Sequence, residues 1–121
     1  MIKAYKLYTG SDGKSHFETG SMHLLEEDAV LSIHFKETAP HSVLDWHTAP
    51  EEQYVITLRG NLEFTMPDGS TFVLRPGEVV LALDTTGSGH KWRMLGDEPW
   101  HRAYVVMKAG SDKLFVPGKR A

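Results

Sequence analysis

The chain has 121 residues, 40% of them hydrophobic and 24% charged, with a formal net charge of −3. A chain of this size buries roughly two-thirds of its unfolded surface, enough for one core, so residues 1–121 are read as a single domain. The absence of cysteine excludes disulfides, thiolate nucleophiles, iron–sulfur clusters and Cys-based zinc sites, and the scattered Lys and Arg give no footprint for nucleic acid.

No segment carries apolar residues at helical spacing, and short alternating or β-branched runs are separated by Gly, Pro and Asp, which predicts an all-β chain. The first predicted strands cover residues 2–8, 15–18, 22–25 and 29–36. In the last of these Ser32, His34 and Lys36 share one face and Leu31, Ile33 and Phe35 the other, and alternation alone leaves open which face lines a pocket. Strands at 42–47 and 53–59 follow. His47 ends the first and Gln53 begins the second, with Gln53, Val55 and Thr57 on one face and Tyr54, Ile56 and Leu58 on the other.

Strands over 61–66, 71–74 and 79–83 come next. They are joined by Met66-Pro67-Asp68-Gly69 and by Arg75-Pro76-Gly77-Glu78, whose Pro-Gly order is that of a type II turn. Thr85-Thr86-Gly87-Ser88-Gly89 reads as a flexible loop running into a strand over 90–95, in which His90, Trp92 and Met94 face together and Lys91 and Arg93 point away. A strand over 102–108 closes the pattern, and the least structured stretches are predicted at 9–14, 85–89 and beyond 116. Arg59 and Arg75 fall at strand ends near turns, so no inward cation for an acidic ligand is expected. The longest aliphatic run, residues 79–83, is too short to span a bilayer and no apolar signal stretch follows Met1. A cytoplasmic location without membrane contact is the simplest expectation.

The segment from Asp45-Trp46-His47-Thr48-Ala49-Pro50 to Gln53 and Gly60, with Pro76-Gly77 and Gly87-Ser88-Gly89-His90, resembles the two motifs of the cupin superfamily. His47 matches the first histidine of the first motif and Gly60 its closing glycine. Ala49 stands at the second histidine, Gln53 at the glutamate and His41 at the opening glycine. In the second motif the inner proline is replaced by Thr85, and the spacing from Gly77 to His90 is two residues longer. The resemblance covers roughly residues 29–108 and implies a double-stranded β-helix, or jelly-roll barrel, with residues 1–28 padding the outer sheet.

The resemblance also implies a divalent metal ion, Fe, Mn, Ni, Cu or Zn, on His47, Gln53 and His90, and no organic cofactor. His34, His41, Asp45 and Asp84 are the residues that could complete the set. His34, Tyr54, Trp46 and Trp92 are candidate walls of a pocket for a small organic substrate. The absence of an evident separate general base suits a metal-dependent oxidoreductase of the dioxygenase kind, or an isomerase, better than a hydrolase. The alternative is a metal-free barrel that binds a small molecule without catalysis. Small cupins commonly pair through the outer sheet and N-terminal strand, so a homodimer is expected, and that pairing would also cover an exposed sheet edge.

Overall fold

The computed structural model describes residues 1–118. In chain order the strands are β1 (Lys3–Thr9), β2 (Ser15–Met22), β3 (Val30–Thr38), β4 (Val43–His47), β5 (Gln53–Arg59), β6 (Asn61–Thr65), β7 (Thr71–Leu74), β8 (Val79–Ala82), β9 (His90–Leu95), β10 (Trp100–Met107) and β11 (Phe115–Pro117). Among the described residues no helix is long and apolar enough to cross a membrane.

The strands form two sheets, ordered β11-β2-β1-β8-β5-β10-β3 and β4-β9-β6-β7. Within β3 to β10 each successive pair of strands crosses between the sheets or turns back on itself in the jelly-roll manner. That pattern gives β3-β10-β5-β8 facing β4-β9-β6-β7, the strand order of a double-stranded β-helix. The N-terminal hairpin β1–β2 extends the larger sheet, with β1 running parallel to β8.

The turns follow their chemistry. Gly69 and Gly77 both have φ near +85° (+88° and +84°), the left-handed conformation that glycine adopts without Cβ strain. The alternation of β5 is kept: Val55 enters an inner cluster with Leu7, Leu62, Phe64, Leu74 and Trp100, while Tyr54 enters an outer one with Ala4, Leu81, Met107 and Phe115. Stacked rings from β1, β6 and β7 tie the two sheets together, Tyr5 on Phe72 at 4.2 Å and Phe64 on Phe72 at 4.9 Å. The larger sheet is thus covered on both faces over its middle.

Three differences from the sequence reading have local causes. Residues 22–25 form no strand of their own; β2 runs unbroken through Gly20, where a Cβ would collide with the carbonyl of Val116. The short β11 lies against that stretch of β2, pairing Phe115 with Met22 and Pro117 with Gly20. The loop before His90 is pinned rather than free. Ser88 N donates to the Gly13 carbonyl at 2.9 Å, Thr9 Oγ1 donates to the Thr86 carbonyl at 3.0 Å, and Gly87 packs directly on Gly13.

Candidate functional site

A cavity of about 730 Å³ lies between the two sheets. It is lined by His47 from β4, Gln53 and Val55 from β5, Phe64 from β6, His90 and Trp92 from β9 and Trp100, Arg102 and Tyr104 from β10, with His34 and Lys36 from β3.

Two local devices bring His47 and His90 together. The pairing of β4 with β9 runs Leu44 to Trp92 and then His47 to His90, so β4 carries one more residue than β9 over that interval. Such a bulge re-aims the side chains beyond it, and it turns His47 onto the face that Leu44 occupies. The second device is Gly89, with φ +74°, which sits so close to the His47 backbone that a Cβ would collide with its carbonyl. The two imidazole centroids are 4.5 Å apart with planes at 60°.

Each ring is held by its Nδ1. That of His47 lies 2.8 Å from the Asp45 carbonyl oxygen, and that of His90 lies 2.5 Å from Asp84 Oδ2. A carbonyl oxygen can only accept, so His47 Nδ1 carries the hydrogen and its Nε2 keeps the lone pair when the ring is neutral. Asp84 is fully buried, and its Oδ2 also accepts from Ser15 Oγ at 2.5 Å. The same carboxylate therefore ties the N-terminal hairpin to β9, with its Oδ1 left without a partner among the described residues. Burial lowers the His47 pKa from its ordinary value of 6.5; the Asp45 carbonyl opposes this, His90 adds to it and Asp84 opposes it more weakly.

The donors available to a metal ion are two imidazoles tied at Nδ1 and the buried amide of Gln53. Anchoring a ligand histidine through its other ring nitrogen to a carbonyl or carboxylate is the usual outer arrangement of metal sites. Against it, Ala49 offers only a methyl group to the cavity, Asp84 is committed to His90 and Ser15, and among the described residues no group of three or more His, Asp or Glu side chains is placed to hold an ion. A divalent ion on His47, Gln53 and His90 would have three neutral donors, a weaker set than one with a carboxylate.

The remaining sequence candidates divide. His34 lines the cavity and stacks on Tyr104 at 5.0 Å, and Trp92 lines it edge-on to Trp100 at 5.1 Å. Tyr54 does not reach it. Its ring points out of the barrel into the outer cluster, its hydroxyl has no partner among the described residues, and burial, with Asp28 and Asp112 nearby, raises its pKa. Trp46 does not reach it either: it is 45% exposed, with Lys91 Nζ 4.9 Å from its ring centroid. The bulge in β4 separates it from the face that His47 takes. His41 is on the surface beside Asp97, at 3.2 Å.

The sequence reading missed the inward cations. Arg102 is 2% exposed and lines the cavity, and the exposed Lys36 lines it too. The signal was present in the alternation of β10, which places Trp100, Arg102 and Tyr104 on one face.

No family model matches the sequence, and no curated protein matches it. Among solved structures the chain is similar to a cupin domain from Bordetella pertussis, at 15% identity over 74% of this chain and 94% of that one, with a TM-score of 0.47. It is also similar to an uncharacterized conserved protein with a double-stranded β-helix domain from Klebsiella pneumoniae, at 19% identity, 93% and 91% coverage and a TM-score of 0.48. A conserved protein of unknown function from Streptococcus pyogenes is 20% identical over 70% of each chain, with a TM-score of 0.46. By its own strand order, with His47 of β4 and His90 of β9 meeting inside the barrel, this chain has the double-stranded β-helix, or jelly-roll, fold.

Proposed function

We propose that His47, Gln53 and His90 hold one divalent metal ion and that the rest of the cavity takes a small organic substrate, with oxygenase-type chemistry as the reaction class. The observation that carries this reading is the anchoring of both imidazoles by Nδ1, which leaves the two Nε2 atoms as the free nitrogens of neighbouring rings. Iron, manganese or copper held there would supply Lewis-acid and redox chemistry. Asp45 and Asp84 fix the ring orientations, while Phe64, Trp92 and Trp100 line the cavity with aromatic surface that limits water. Among the described residues no Ser or Thr of the cavity is hydrogen-bonded to an imidazole. Ser42 Oγ donates to the Ala39 carbonyl and Thr38 Oγ1 accepts from Arg102, which leaves a serine–histidine hydrolase without support.

A metal-free binding protein is the second reading, favoured by Ala49 and Gln53 at positions where stronger donors stand in the motif. Titrating zinc into chelator-treated protein while following the histidine side-chain resonances separates the two. The metal reading expects His47 and His90 to shift at one equivalent with the other histidines unmoved; imidazoles that stay unchanged in excess zinc would overturn it.

The same reading includes a homodimer. Strand β1 lies inside the larger sheet, so it offers no free edge; β3 is the edge beside the site, and its outward residues Leu31, Ile33 and Phe35 are exposed, with Leu58 near Phe35. A second copy paired along β3 would cover both that edge and these side chains.

A further inference from the structure

Strands β3 and β10 pair so that Lys36 stands directly opposite Arg102 and His34 directly opposite Tyr104. All four side chains line the cavity. Like charges placed opposite each other weaken a sheet, and a buried guanidinium without a counter-ion bears a desolvation cost. The neighbours of Arg102 orient it without neutralising it. Its Nε donates to the Tyr104 hydroxyl at 3.0 Å, and its Nη1 donates to Thr38 Oγ1 at 2.6 Å and to the Trp100 carbonyl at 3.3 Å. The guanidinium carbon lies 3.6 Å from the Trp100 ring centroid. Among the described residues Nη2 has no protein partner, and the ion pairs of the molecule include neither Arg102 nor Lys36. The nearest carboxylate by sequence, Glu37, is engaged by His101 at 2.5 Å.

We propose that Lys36 and Arg102 form a carboxylate-binding subsite, and that the ligand of this cavity is a small organic acid whose apolar or aromatic body lies against Trp92, Trp100 and Phe64. One free amino group on a fixed guanidinium and one ammonium match the two oxygens of a carboxylate, whereas a phosphate group offers three oxygens and asks for more donors than this wall leaves free. The aromatic surface continues from the cation pair toward His47 and His90, so an acid anchored at its carboxylate extends its body along the histidine wall. The proposal rests on the reading of the cavity as a ligand site and does not require the metal.

The test is calorimetric titration of the full chain, kept in chelator, with benzoate, with benzamide as its neutral isostere and with inorganic phosphate. Benzoate is expected to bind at least tenfold more tightly than either of the others. Lys36→Gln and Arg102→Gln are each expected to weaken benzoate at least tenfold while leaving benzamide unchanged. Lys36 is solvent-accessible, so its variant keeps the fold even where loss of the buried Arg102 does not. Benzoate and benzamide binding alike, phosphate binding as tightly as benzoate, no benzoate binding at millimolar concentration, or a Lys36→Gln variant with unaltered preference would each overturn the proposal. Because no metal is present in the titration, a charge preference found here stands even where the native protein proves metal-free, and its absence leaves the metal reading untouched.

Discussion

Asp84 and His90 are joined by a 2.5 Å hydrogen bond inside the barrel, the carboxylate fully buried and the imidazole nearly so. The same oxygen accepts from Ser15, so one carboxylate fixes both the orientation of a site histidine and the docking of β2. Removing it leaves two buried donors unpaired. Asp84→Ala is expected to destabilise the fold by on the order of 3 kcal/mol, read as a lower midpoint in urea denaturation with unchanged slope. A variant as stable as the parent would show that this linkage contributes nothing.

Gly89 is required twice, for its left-handed backbone and for its approach to His47. Gly89→Ala adds a Cβ that must displace the His47 carbonyl, at a cost of about 3 kcal/mol or more when a strained φ and a backbone collision combine. The expected result is a lowered melting temperature with loss of the coupled shifts of His47 and His90 on metal addition. Gly13→Ala serves as the comparison, because its φ of +74° is equally positive while open space surrounds its Cβ position. It should cost about 1 kcal/mol, the backbone strain alone.

His47 should titrate below 6.5 in the metal-free protein, mainly because burial disfavours its charged form. In the unfolded chain the ring takes its proton near the ordinary value of about 6.5, so between the two pKa values the unfolded state binds more protons. The contribution of His47 to stability is complete above 6.5 and is lost as the pH falls toward the folded pKa. A carbon–proton correlation titration of the imidazole, beside melting temperatures for the parent and His47→Gln, checks both the direction and the window. A His47 pKa above 6.5 would contradict the desolvation argument.

Much of this architecture follows from patterns that the chain displays openly. The Pro-Asp-Gly and Pro-Gly turns and the alternation in 53–59 lead to the observed β5, β6 and β7, and the resemblance to the cupin motifs singles out His47, Gln53 and His90, which line one cavity. Alternation also places Tyr54 opposite Gln53, so its position outside the cavity was legible, and the choice of Tyr54 as a pocket wall went against it. The β4 bulge was not legible, because an extra residue in one strand becomes visible only against its partner's register. Nor was β11, a three-residue strand ending in proline whose place is set by Gly20 on the far side of the sequence. The inward Arg102 could have been found from Trp100 and Tyr104 on its own face, but a buried cation runs against the usual exposure of arginine.

The exposed apolar side chains of β3 carry the dimer proposal. Ile33→Lys combined with Phe35→Lys places like charges on the proposed contact and is expected to convert a dimer into a monomer in sedimentation velocity, with the fold retained because both side chains are already exposed. A parent that sediments as a monomer at micromolar concentration, or a variant that remains dimeric, would remove β3 as the contact.

The proposed role of His47 and His90 as metal ligands makes the metal content of the protein the deciding quantity. Elemental mass spectrometry of the protein purified natively without added metal, beside a His47→Ala, His90→Ala double variant of matched foldedness, measures it most directly. Close to one equivalent of a divalent transition metal is expected in the parent and none in the variant. A parent that contains no metal, and takes up none from Fe, Mn, Ni, Cu or Zn, would contradict that role and leave the cavity as a metal-free binding site.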